Sequence, residues 1–282
     1  LSIYIKNFRE FKKINFYDPR FLFYAIYFFI TTLTLNPVFS LQIISTLSIT
    51  LIINSIIIAS NQNKYFVLLL LFHPRFIDLI VSQTRSALAL AFFISAVFLN
   101  IDKIYKYFLF LLSIIMHYTM APLFLIFYLV ERYRSKPLQI NSIFSMEYKS
   151  LSFKRKFNLI FGNLLFILLA LIANVLNLRG GNVASSTTFV YSGMWLITAL
   201  ITFWIFNYSL KRFSIENYLL ILLITVAPVL NTLGYESTRL YGYAIPFVCI
   251  SISKLSGLSM RILFLTYLFN NAYSLYKWLQ FI

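Results

Sequence analysis

Residues 38–60 contain no charged side chain, and neither do residues 158–177. Residues 105–130 carry a single one, Lys106. A run of about twenty apolar residues makes a helix long enough to cross a bilayer's hydrocarbon core. Lipid cannot hydrogen-bond a bare backbone, so helices or closed barrels are the only spanning forms. These runs lack the two-residue alternation of a barrel strand, which leaves helices. Composition agrees: 60% of the 282 residues are hydrophobic and 11% are charged, against about 25% charged in soluble domains. Too little polarity remains to cover a soluble surface. The expected fold is all-α, a polytopic transmembrane helix bundle with about ten or eleven membrane segments, some short or re-entrant.

Apolar stretches and breakers place helices at 21–35, 38–60, 65–80, 86–99, 106–116, 118–130, 158–177, 191–210, 215–230, 239–253 and 261–277. Residues 131–157 form a basic loop within what reads as a single integral membrane domain over 1–282. No internal repeat or low-complexity tract appears. The first twenty residues are too charged for a signal peptide, and the start at Leu1 rather than Met suggests an upstream piece. The one cysteine, Cys249, lies in an apolar run and reads as a small core residue; alone it makes no internal disulfide or cysteine metal cluster. The net charge of +16 has no nucleic-acid-binding pattern beside it, so no nucleic-acid partner is expected.

The basic residues give the bundle a sidedness. With a cytoplasmic N-terminus and every segment crossing, the inner segments are 1–20, 61–64, 100–106, 131–157, 211–214 and 254–261. They hold five, one, two, seven, two and two Lys or Arg, nineteen of the 24, as the positive-inside rule expects. The same rule favours a break at His117, because an unbroken helix would separate Lys103 and Lys106 from Arg132 and Arg134.

Five basic residues remain for the outer face: Arg75, Arg85, Arg179, Arg239 and Lys277. Four are arginines near helix ends among polar groups, where topology does not explain them. Arg85 lies in Ser82-Gln83-Thr84-Arg85-Ser86, and Arg239 follows Glu236-Ser237-Thr238. Arg179 precedes Gly180-Gly181, and Arg75 follows His73-Pro74, three residues before Asp78. Charges near a membrane interior are costly and mark functional positions. The guanidinium fork suits phosphate or carboxylate, and helix N-terminal amides add positive potential beside Arg85 and Arg239. The pattern points to a diphosphate or anionic-sugar site. The ordinary alternatives are snorkelling to headgroups and helix-end pairing of Arg75 with Asp78 or Arg239 with Glu236.

The stretch Ser82-Gln83-Thr84-Arg85-Ser86-Ala87-Leu88-Ala89-Leu90-Ala91 resembles a motif of the EpsG-like branch of bacterial polysaccharide polymerases, the Wzy-type group. A basic turn, Asp102-Lys103-Ile104-Tyr105-Lys106, and a histidine step, Met116-His117-Tyr118-Thr119, follow in the family's order. Arg239-Leu240-Tyr241 resembles its later Arg-Tyr helix start. Ser86 stands where the family has Gln, and Thr119 where it has Ser. The resemblance runs loosely over residues 16–243. It implies an enzyme of the bacterial cytoplasmic membrane that polymerises oligosaccharide repeat units carried on undecaprenyl diphosphate at the outer face, in O-antigen, capsule or exopolysaccharide synthesis. The implied partners are the lipid-linked oligosaccharide, membrane lipid and other polysaccharide-assembly proteins.

In that chemistry Arg85 and Arg239 are expected to hold the diphosphate, with Arg179 and Arg75 as weaker candidates. Gln83 and Tyr241 join them as substrate-binding residues. His117 orients a sugar or accepts a proton, and Asp78 and Glu236 are the outward carboxylates available as a base. Two histidines without a carboxylate pattern suggest no metal, and no nucleotide motif is present, so no cofactor is expected. The rival readings are a flippase or transporter for lipid-linked sugars, a membrane acyltransferase that modifies polysaccharide, and a noncatalytic membrane subunit.

Overall fold

The computed structural model describes residues 21–60, 65–135, 186–209, 214–232 and 238–279. Among them every regular element is a helix. The expected helix 158–177, Arg179, Glu236 and most of the 131–157 loop lie outside the described residues. The chain divides into two compact units, Leu1–Ala121 and Pro122–Ile282.

The first unit contains α1 (Phe21–Thr34), α2 (Pro37–Ala59), a 3-10 helix (Tyr65–Phe72), α3 (Pro74–Ser82), α4 (Thr84–Phe98) and α5 (Lys103–Met116). Asn36 starts α2: its side chain accepts from Val38 N at 3.0 Å and Phe39 N at 3.1 Å, and Pro37 fills the first helical position. That pairing satisfies two amides that helix geometry leaves orphaned. His73 caps α3 in the same manner, accepting from Arg75 N at 3.2 Å ahead of Pro74.

The single helix expected over 65–80 is instead two elements. Pro74 offers no N–H and holds His73 extended, at φ −61° and ψ 128°, so the chain cannot run through as one α-helix. The helix expected from Ser86 begins two residues earlier, at Thr84.

α4 is the centre of this unit, with α2 and α5 packed against it. Ala87, Ala89 and Ala91 are fully buried, and small side chains let backbones approach closely. Ser113 Oγ donates to Ala89 O at 2.7 Å, and the rings of Phe93 and Phe110 meet edge-on at 5.5 Å. Pairing 113 with 89 and 110 with 93 makes α4 and α5 antiparallel, and the same register brings His117 level with Arg85. Ser55 Oγ lies 3.3 Å from Ser95 Oγ, and Ser45 Oγ donates to Ile80 O at 3.0 Å. α2 and α4 therefore run in the same direction. Ser45 lies about 12 Å along α2 from Pro37 at 1.5 Å per residue, so the α3–α4 junction is recessed from the end of α2.

The second unit contains most of α6 (Met120–Ser135), then α7 (Ser186–Ser209), α8 (Ile215–Thr232), α9 (Thr238–Ser253) and α10 (Gly257–Leu279). α8 and α9 are the inner pair. Residues 219–224 and 240–253 are buried throughout, as an all-round apolar helix must be. Lys254 Nζ donates to Glu216 Oε1 at 2.7 Å, tying the start of α8 to the end of α9, and Ser214 Oγ donates to the same carboxylate oxygen. α7 and α10 are joined by a polar ladder. Ser209 meets Ser259 at 2.5 Å, Thr202 meets Tyr267 at 3.1 Å, Asn270 Nδ2 donates to Thr198 Oγ1 at 3.2 Å, and Ser274 Oγ lies 3.5 Å from Tyr191 OH. Residue numbers fall along α7 as they rise along α10, so the pair is antiparallel.

Pro37–Ala59 is the one described helix long and apolar enough by itself to cross a membrane; α3 and α4 pass the same test together as a pair bent by 108°. Shorter apolar helices include Phe21–Thr34, Tyr191–Asn207 and Ile215–Leu230. Large apolar side chains also face outward, among them Ile104, Phe108 and Leu111 of α5 and Leu200 and Trp204 of α7.

Candidate functional site

In the first unit the site residues collect at the α3–α4 junction and the end of α5. The bend falls at Gln83, whose φ of −119° and ψ of 46° fit neither helix. Its side chain makes no cap to α4. Instead Gln83 Nε2 donates to Asp78 Oδ2 at 3.1 Å, so Asp78 is engaged by the residue five positions on. Arg85, half-buried, is the second residue of α4. No acidic residue accompanies it in that first turn, and its positive charge lies at the positive end of the helix dipole. Like-signed potential of this kind costs about 0.3–1 kcal/mol and favours an arriving anion.

The break expected at His117 is present. α5 stops at Met116, His117 is extended at φ −152° and ψ 110°, and α6 starts at Met120. His117 Nδ1 lies 2.6 Å from Thr119 Oγ1 and accepts from Thr119 N at 3.4 Å. A backbone N–H can only donate, so Nδ1 is the acceptor and the neutral ring carries its proton on Nε2. The imidazole also stacks on Tyr118, with centroids 5.3 Å apart. This geometry favours an orienting, donating histidine over a proton-accepting one. Arg75 lies in the first turn of α3, about 10 Å along that helix from Ser82.

In the second unit Arg239 is the second residue of α9, again with no acidic residue in the first turn. Its Nε is buried and has no hydrogen-bond partner among the described residues. Tyr241, two residues on, is fully buried. Its ring stacks on Trp195 at 4.7 Å and meets Tyr191 edge-on at 5.2 Å. Tyr241 is thus a packing residue behind Arg239, not an open sugar platform. It ties the start of α9 to the Tyr191 end of the polar ladder.

Two features escaped sequence reasoning. Thr84 is fully buried and its Oγ1 has no hydrogen-bond partner among the described residues. Asn270 is the centre of the ladder, donating to Thr198 and accepting from Ser274 Oγ at 3.4 Å. The signal for Asn270 was available, because Asn270-Asn271 interrupts an apolar helix. Nothing around Thr84 distinguishes it from a threonine that bonds back to its own helix.

No family model, curated protein or solved structure matches the chain.

Proposed function

We propose that this protein is a multipass enzyme of the bacterial cytoplasmic membrane that polymerises oligosaccharide repeat units carried on undecaprenyl diphosphate, in the manner of the EpsG-like, Wzy-type group. The observation that carries the reading is the placement of Arg85 in the first turn of a helix without an acidic neighbour there; Arg239 is placed alike within the second unit. The outward apolar side chains and the low charge content support the membrane setting. The motif around Arg85, the histidine step and the Arg-Tyr helix start supply the family.

In the reaction the acceptor sugar's hydroxyl oxygen bonds to the anomeric carbon of the lipid-linked chain. The bond from that carbon to the diphosphate oxygen breaks, and the lipid diphosphate leaves with the electron pair. Arg85 in the first unit and Arg239 in the second are each a cationic group suited to stabilising such a developing charge. His117, donating through Nε2–H, orients a sugar or phosphate oxygen. The hydroxyl's proton passes to a carboxylate, for which Asp78 and Glu236 are the candidates.

A second reading, a flippase for lipid-linked sugars, draws support from the broken α3–α4 pair, since transporters build sites from interrupted helices. Reconstitution separates the two. Purified protein in proteoliposomes containing the lipid-linked repeat unit is expected to lengthen the glycan, read on gels. Movement of the lipid between leaflets without lengthening would reject polymerisation in favour of transport.

A further inference from the structure

The junction between α3 and α4 carries a buried polar atom on each of two successive residues. Gln83 Oε1 and Thr84 Oγ1 are both buried without a hydrogen-bond partner among the described residues. Asp78 determines which way the Gln83 amide faces. A carboxylate only accepts, so the amide nitrogen must point at Asp78 Oδ2, as its 3.1 Å contact records, and the oxygen must point away. Thr84 is the first residue of α4, and Cβ bonds tilt toward a helix's N-terminus, so its side chain leaves the backbone on the side of the same break. Buried polar atoms of this kind are costly and call for an explanation.

The chemistry of the two atoms selects a ligand. Gln83 Oε1 can only accept, so it repels a phosphate oxygen and requires a donor. Thr84 Oγ1 both donates and accepts. A hydroxyl group complements both at once. Arg85, the next residue, suits phosphate. We infer that the Gln83–Thr84 break recognises a sugar hydroxyl on the saccharide next to the diphosphate, the hydroxyl donating to Gln83 Oε1 and accepting from Thr84 Oγ1. This rests on the polymerase reading and adds to it a division of labour: Arg85 reads phosphate, Gln83 and Thr84 read sugar, and Asp78 positions Gln83.

The test measures binding of two lipids to the full chain in nanodiscs: undecaprenyl diphosphate carrying the repeat oligosaccharide extracted from the native strain, and bare undecaprenyl diphosphate. Gln83→Met removes the acceptor and is expected to weaken the sugar-bearing lipid about tenfold, the scale of one buried hydrogen bond, with the bare lipid unchanged. Asp78→Leu is expected to weaken the sugar-bearing lipid in part although Gln83 is present, because no acceptor then holds the amide nitrogen and turns Oε1 away from position 78. Retained binding of the bare lipid shows that each variant is folded. Equal weakening of both lipids, or no weakening of either, would overturn the inference. Competition by phosphatidylglycerol that Gln83→Met abolishes would make the hydroxyl a headgroup's and overturn it too. Failure of the wild-type protein to bind either lipid would reject the polymerase reading itself, and this inference with it.

Discussion

Asn270 offers a direct test of what holds α7 to α10. It is 1% exposed, donates to Thr198 Oγ1 at 3.2 Å and accepts from Ser274 Oγ at 3.4 Å. Replacement by Leu keeps most of the volume and removes both bonds. Thr198 Oγ1 still donates to Met194 O at 2.9 Å, and Ser274 still faces Tyr191 OH, so neither hydroxyl is stranded. The bond to Thr198 crosses between helices and the bond to Ser274 lies within α10. Interhelical hydrogen bonds in membrane proteins average about 0.6 kcal/mol, and with the second bond lost as well Asn270→Leu is expected to cost about 1 kcal/mol. Asn270→Ala loses the same bonds and leaves a cavity, which raises the cost to about 2–3 kcal/mol. Asn270→Asp buries a carboxylate among uncharged partners and is expected to be the worst of the three. Unfolding in mixed detergent micelles, followed by tryptophan fluorescence, measures the order. Trp195 is a suitable reporter because its ring meets that of Tyr267, on the same ladder, at 6.3 Å. A Leu variant or an Asp variant as stable as wild type would refute the ladder as an interhelical fastening.

The Glu216–Lys254 pair makes a second structural prediction. Lys254→Met is expected to cost about 1–2 kcal/mol, below the full cost of a severed buried pair because the lysine side chain is 32% exposed. Adding Glu216→Gln is expected to restore part of that loss in the same unfolding assay. At His117, nitrogen NMR of labelled histidine is expected to show the Nε2–H tautomer; a proton on Nδ1 would contradict its bond from Thr119. Thr119→Val is expected to slow glycan lengthening several-fold at unchanged protein level, and Thr119→Ser to restore it, read from chain-length profiles.

The uncharged run 38–60 was enough to predict a helix, because that pattern has few other physical outcomes. The break at His117 was legible for a different reason: charge asymmetry required the chain to turn between Lys106 and Arg132. Pro74 was in view, yet a helix was expected through it, since apolar residues continue on both sides. The bend at Gln83 has no local marker. Neither Gly nor Pro stands there, and the Asp78–Gln83 bond that accompanies it depends on the helix having already stopped. Arg85 and Arg239 stood out in sequence because the topology expected from the positive-inside rule disfavours cations at those positions. Their first-turn placement needed helix boundaries that apolar patterning defines only to within a turn. Tyr241 reads in sequence as a candidate for sugar contact, whereas its packing against Trp195 and Tyr191 is tertiary and invisible there.

Arg85 is proposed above all to bind a diphosphate through its planar fork. The most direct test replaces it by Ala and by Lys in a strain lacking its own polymerase and compares surface polysaccharide chain lengths at matched protein levels. Long chains are expected with wild type only. Arg85→Ala should leave single repeat units, and Arg85→Lys, which keeps the charge without the fork, only short chains. Wild-type chain lengths in Arg85→Ala would contradict the account.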